Sequence, residues 1–167
     1  MASSRFSIAV HTLALLAHGD GEKSLKSEAI ACLVKTNAVV IRRLLSDLSS
    51  AKIVVSQAGA AGGSRLAKTP AEINLFEIYR AIEGGEIFTL HRQTPPESCD
   101  IGRTIQAVLG EIQDVLDAAV EESLGKISLA EVLQMIETEN ENCKAKYQFK
   151  TKPQTGKTAD KVSDESI

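Results

Sequence analysis

The 167-residue chain has few cysteines, no long apolar run and no catalytic motif. Cys32, Cys99 and Cys143 are odd in number and far apart, which is not the disulfide framework of a secreted protein. No window approaches the roughly 18 apolar residues of a membrane span. The opening residues, Met1-Ala2-Ser3-Ser4-Arg5, lack the charged and then apolar regions of a secretion signal. A cytoplasmic protein with no membrane partner is expected. Nucleophile elbow, phosphate loop and zinc-protease motif are all missing. His11, His18 and His91 do not pair at metal-ligand spacing. No catalytic group and no metal site is expected, so the chain does not read as an enzyme.

What is there begins with charge. The net charge is −3, but it is unevenly spread. Residues 1–70 hold 9 Lys/Arg against 4 Asp/Glu, residues 71–143 hold 4 against 15, and residues 144–167 hold 6 against 3. A basic front joined to an acidic second part suggests that only the front meets a polyanion. Two ordinary solvated surfaces would give the same counts. Hydrophobic residues make up 43% of the chain, enough to bury a core.

Residues 36–68 carry the clearest pattern. Within 37–50, Ile41, Leu44, Leu45 and Leu48 follow the i, i+3, i+4, i+7 spacing of an amphipathic helix. The opposite face carries Val39, Arg42, Arg43 and Ser46. A buried stripe backed by a basic, polar face is a candidate for the major groove of DNA. Asn37 is placed to cap this helix. It is a reader of adenine only if its side chain is not spent on the cap, and Val39 suits a thymine methyl. Upstream, a helix over residues 4–18 has Phe6, Ala9, Val10, Leu13, Leu16 and Ala17 on its apolar side. A short helix over 26–33 points Ala29, Ile30 and Leu33 inward, and residues 34–36 form the short turn that a helix-turn-helix requires. Downstream, strands at 53–56 and 65–68 flank Gly59-Ala60-Ala61-Gly62-Gly63 and read as a wing.

Beyond Pro70, Asn74 and Glu77 form a variant capping box, with Ile73 and Ile78 as its hydrophobic staple. The helix they open stops at Gly84-Gly85. Pro95-Pro96 marks a linker over 86–98. A long helix then covers about 101–124. Its apolar residues, Ile105, Val108, Leu109, Ile112, Val115, Leu116, Ala119 and Val120, recur every three or four positions. So long a stripe beside a small domain calls for a partner helix, and it reads as a dimerisation surface. Packing within its own domain is the alternative. Ser128 and Glu131 open a last helix, ending near Thr138. The expected organisation is a DNA-binding domain over 1–85, a linker over 86–100, the dimerisation and C-terminal helices over 101–138, and a polar, mobile tail over 139–167.

Several runs together resemble the Rrf2 family of bacterial transcription regulators. They are Leu44-Leu45-Ser46-Asp47-Leu48, Ile53-Val54, the glycine run, Leu66-Ala67-Lys68, and Ile73-Asn74-Leu75-Phe76-Glu77-Ile78 ending in Glu83-Gly84. The resemblance covers residues 4–136. The family includes regulators of iron–sulfur cluster assembly, nitric oxide stress and cysteine metabolism. It implies a mainly α fold: a winged helix-turn-helix with a small two-stranded β wing, plus a long dimerisation helix. It implies a homodimer on a roughly palindromic double-stranded operator, often in repression. Carried over by position, Thr36, Asn37, Val39 and Val40 sit at the start of the reading helix. Phosphate contacts fall to Arg5, Lys26, Lys35, Arg42, Arg43 and Arg65, and to the backbone amides of Gly62 and Gly63.

Two features depart from the family pattern. Many members carry an arginine just before the wing glycine, where this chain has Ala58. Cluster-binding members carry three cysteines ahead of the long helix, where this chain has only Cys99. A cluster needs about four ligands, so no iron–sulfur cofactor is expected. Cys99 is a candidate redox sensor, with an inert thiol as the alternative. Cys32 reads as core packing. Two other readings of the whole chain stay open: a winged helix used for protein binding, and a thiol-based redox protein centred on Cys99.

Overall fold

The computed structural model describes residues 4–18, 24–57, 59, 62–84, 88 and 99–148, side chains of 103 and 143–148 excepted. Ala58, nearly all of the 86–98 linker and the tail beyond 148 lie outside the described residues. The elements are α1 (Arg5–Ala17), α2 (Ser27–Val34), α3 (Ala38–Ser50), β1 (Val54–Gln57), β2 (Gly63–Leu66), a 3-10 turn (Pro70–Glu72), α4 (Leu75–Glu83), α5 (Asp100–Gly125) and α6 (Leu129–Gln148). Contacts divide the chain into two units, Met1–Gln134 and Met135–Ile167.

The core of the first unit comes from the apolar periodicities. Ala9, Leu13 and Leu16 of α1, Ile30 of α2, Ile41, Leu44, Leu45 and Leu48 of α3, and Ile78 and Ile82 of α4 are all buried together. Phe6 and Tyr79 meet edge to face, with ring centroids 5.9 Å apart, tying α1 to α4. On α2 the inward face is not the expected one. Ile30 and Ala31 are buried, while Ala29 is exposed and Leu33 is 58% exposed. Cys32 is exposed as well, so it is not a core residue. An eight-residue helix offers too few turns for its apolar phase to be read securely.

The wing is antiparallel, pairing Val54 with Leu66, Val55 with Arg65, Ser56 with Ser64, and Gln57 with Gly63. Its second edge is also paired. Leu25 and Ser64 exchange backbone hydrogen bonds of 2.9 and 2.8 Å. Gly63 is a glycine because of this approach: a β-carbon there would lie 2.9 Å from the Leu25 carbonyl oxygen. The strands begin and end one or two residues away from the expected positions.

Capping explains the remaining boundaries. Asn74 accepts the Glu77 N–H at 2.8 Å, but the Glu77 carboxylate turns to Lys68 at 3.2 Å, so that box is half formed. Gly84, at φ 83°, closes α4 in the left-handed region that glycine tolerates. The Ser128 box is complete: the Ser128 N–H donates to Glu131 at 2.7 Å, and the Glu131 N–H donates to Ser128 Oγ at 3.2 Å. These Ser128 bonds hold the Glu131 carboxyl below the usual range. α6 runs to Gln148, well past Thr138. The apolar pattern fades there, but Glu, Lys and Ala are good helix formers, and no glycine or proline intervenes. The expected tail therefore begins as helix through residues 139–148. In the second unit Met135 and Ile136 of this helix are exposed.

Candidate nucleic-acid interface

α3 is seated by its apolar stripe, and this fixes what its other face presents. Val39 is 48% exposed, and Arg42, Arg43 and Ser46 are exposed. Val40 is half-buried against the core, so it is not an outward reading position. Asn37 caps α3, its Oδ1 accepting the Val39 N–H at 2.8 Å. The cap occupies the acceptor that a bidentate adenine contact needs. Lys35, at φ 56°, makes the left-handed turn between α2 and α3 and leaves its side chain exposed. Thr36 is half-buried beside it, its N–H bonded to the Ala31 carbonyl at 2.9 Å.

Between the start of α2, the outer face of α3 and the wing lies an open groove of about 650 Å³. Lys26, Arg42, Gly62 and Gly63 line it, as do Ser46, Ser49 and Gln57. The groove between α3 and the wing also holds the Glu28 carboxylate; its hydroxyls, amide and two cations are groups that suit a phosphodiester backbone. The serines repeat at helical spacing after Arg42, a signal legible in the sequence. Gly62 is buried and its N–H donates to the Gly59 carbonyl at 3.0 Å, so its amide is spent in the turn and not offered to phosphate.

The other expected contacts stand elsewhere or are engaged. Arg5 pairs with Asp47 of α3 at 2.9 Å. Arg65 is exposed on β2 and lines a separate recess with Ser24 and Val55. Arg42 is bonded to Glu28 of α2. That guanidinium first, then the backbone N–H of Glu28 and the Ser27 hydroxyl, hold the Glu28 carboxyl below its usual range. Nothing in local sequence marks Glu28, because its partner is fourteen residues away.

α5 presents two kinds of apolar surface. Ile105, Val108, Ile112 and Val115 are exposed, Val115 at 69%. Leu109 is half-buried, and Leu116 and Ala119 line a recess with Phe6 and Tyr79. The stripe is thus divided between its own domain and solvent. Cys99 caps α5, its Sγ accepting the Gly102 N–H at 3.2 Å. The thiol is exposed. Among the described residues no three His, Cys, Asp or Glu side chains gather to hold a metal ion. His91 lies outside the described residues.

Comparison with known proteins agrees with this geometry. Residues 2–135 match the Rrf2 family, characterised as iron-dependent transcriptional regulators. YwnA of Bacillus subtilis, named as an HTH-type transcriptional regulator, is 40% identical over 134 residues, which is 80% of this chain and 97% of YwnA. A solved structure named as that of a DNA-binding protein is 36% identical, with a TM-score of 0.61, over 78% of this chain and 99% of its own. IscR of T. potens is 25% identical, also with a TM-score of 0.61, over 83% of this chain and 90% of its own.

Proposed function

This chain belongs to the Rrf2 family of transcriptional regulators, and from that premise we propose that it acts in the cytoplasm as a homodimeric repressor on a palindromic operator. The observation that carries the reading is α3. Its buried stripe fixes an exposed face bearing Val39, Arg42 and Arg43, beside a polar groove that ends at the wing. α3 enters the major groove, and the phosphate backbone passes between α3 and the wing. Lys26 supplies positive charge there, exposed Lys35 and Arg43 supply it outside the groove, and Arg65 supplies it on the far side of the wing. The exposed residues of α5 pair the two protomers. No described helix is long and apolar enough to cross a membrane.

Arg43→Ala tests the face. Operator affinity is expected to fall while the dimer stays intact. The slope of log affinity against log salt is expected to flatten by about 0.9, the loss of one phosphate contact. Unchanged affinity and slope would show that α3 presents a different face.

The iron associated with the family does not fit the residues described here. Cys99 is the single thiol at the start of α5, and its Sγ caps the helix. Cys32 lies on α2 and Cys143 on α6, remote in sequence. One thiolate falls short of the roughly four ligands of a cluster. We therefore read regulation here as independent of an iron–sulfur cluster. Protein purified without air is expected to be colourless and iron-free; stoichiometric iron with visible cluster absorption would overturn this.

A further inference from the structure

The groove beside α3 contains one carboxylate, Glu28, among lining residues that are otherwise cationic, polar or neutral. An anion at the mouth of a phosphate-binding groove opposes the ligand. Glu28 lies in the first turn of α2, and its Oε1 accepts Nη2 of Arg42. Its Oε2 accepts the Ser27 hydroxyl at 3.2 Å. The two side chains are 62% and 55% exposed. Exposed ion pairs of this kind add little to folding, so stability does not account for the arrangement.

We propose that Glu28 is a specificity-determining residue that acts through Arg42, withholding the guanidinium from DNA that offers only phosphate. The proposal rests on the DNA-binding reading above. Its physical basis is the difference between the two targets of an arginine. Phosphate is an anion and competes with Glu28 for the charge itself. A guanine edge presents neutral acceptors. The guanidinium carries five N–H donors in a fixed fork, so donors not used by Glu28 can address that edge with the ion pair in place. Non-specific binding is almost wholly electrostatic. Glu28 therefore weakens it more than it weakens base-directed binding, and the ratio between the two rises. Like any exposed glutamate, Glu28 is ionised at neutral pH, and the Arg42 guanidinium holds its carboxyl further below the usual range.

The test is a double-mutant cycle of Glu28→Gln and Arg42→Ala in the full chain. Two probes are titrated over a salt series: a duplex that the wild-type protein selects from random-sequence DNA, and a shuffled duplex of the same composition. Glu28→Gln is expected to tighten binding to the shuffled duplex about three- to tenfold and to steepen its salt slope by about 0.9, one added phosphate contact. The selected duplex should gain less, so that discrimination narrows. In the Arg42→Ala background most of the gain should vanish. Equal tightening on both duplexes would overturn the proposal. So would a gain that survives Arg42→Ala, because Glu28 would then act only as a nearby charge. A wild-type chain that selects no duplex would bring down the regulator reading itself, and this proposal with it.

Discussion

Val115→Asp is expected to leave each protomer folded and to remove operator binding. Val115 is 69% exposed in the single chain, so an aspartate there is solvated and costs the protomer little. The same helix already carries Asp114 and Asp117. In a dimer built on the α5 stripes the new carboxylate is buried without a partner. An uncompensated buried charge costs about 3–5 kcal/mol, enough to raise the dimer dissociation constant by at least about a hundredfold. A monomer then presents one reading helix to one half-site. Losing the second should lower apparent operator affinity by about 10²–10⁴. Sedimentation, circular dichroism and DNA titration at matched concentration check the three parts. A dimer that persists would remove α5 from the interface. A monomer that binds with undiminished affinity would sink the palindromic-operator reading.

Ile41→Ala should act through the fold instead. Ile41 is fully buried one turn into α3, packed with Leu44 and Leu48. Truncation leaves a cavity under the reading helix and should cost about 2–5 kcal/mol. For a chain of this size that corresponds to a fall in Tm of about 5–15 °C. The domain's whole stability is of order 5–15 kcal/mol, so DNA binding should fail well below the wild-type midpoint. Arg43→Ala, on the exposed face of the same helix, should leave Tm nearly unchanged. The two variants together separate seating from reading. A Tm shift below about 2 °C for Ile41→Ala would mean that the stripe is not what holds α3.

The parts of this fold legible in sequence were those set by short-range rules. The stripe of α3 spans several turns, so its phase is unambiguous, and all four of its predicted residues are buried. Asn37, Asn74 and Ser128 were found because a cap is chosen by chemistry within three residues. Long-range pairing was not legible. The bridge from Leu25 to Ser64 uses backbone groups that any residue supplies. Glu28 reaches Arg42 only after the turn at Lys35 brings α2 across α3. α2 misled because Leu33 and Cys32 are apolar by composition yet exposed on a helix of two turns. The end of α6 misled because periodicity reports a buried face, not where a helix stops. At the candidate interface, residue type located the cations but could not reveal that Arg5 and Arg42 already have carboxylate partners.

The junction of α5 and α6 also bears on how a signal can travel. The Leu75 N–H bonds to the Ile127 carbonyl at 2.9 Å, and the Leu129 N–H bonds to the Ile73 carbonyl at 2.8 Å. These bonds fasten the far end of α5 to the start of α4, and the last third of the same helix, from Leu116 to Leu124, borders the recess at Phe6 and Tyr79. Both attachments lie toward the C-terminal end of α5, which makes that end the clamped root of the helix. In the proposed dimer the spacing between half-sites would be set at that root. On the proposed dimer, a signal that reaches α5 would act on DNA binding through this root, by turning the domain that it holds.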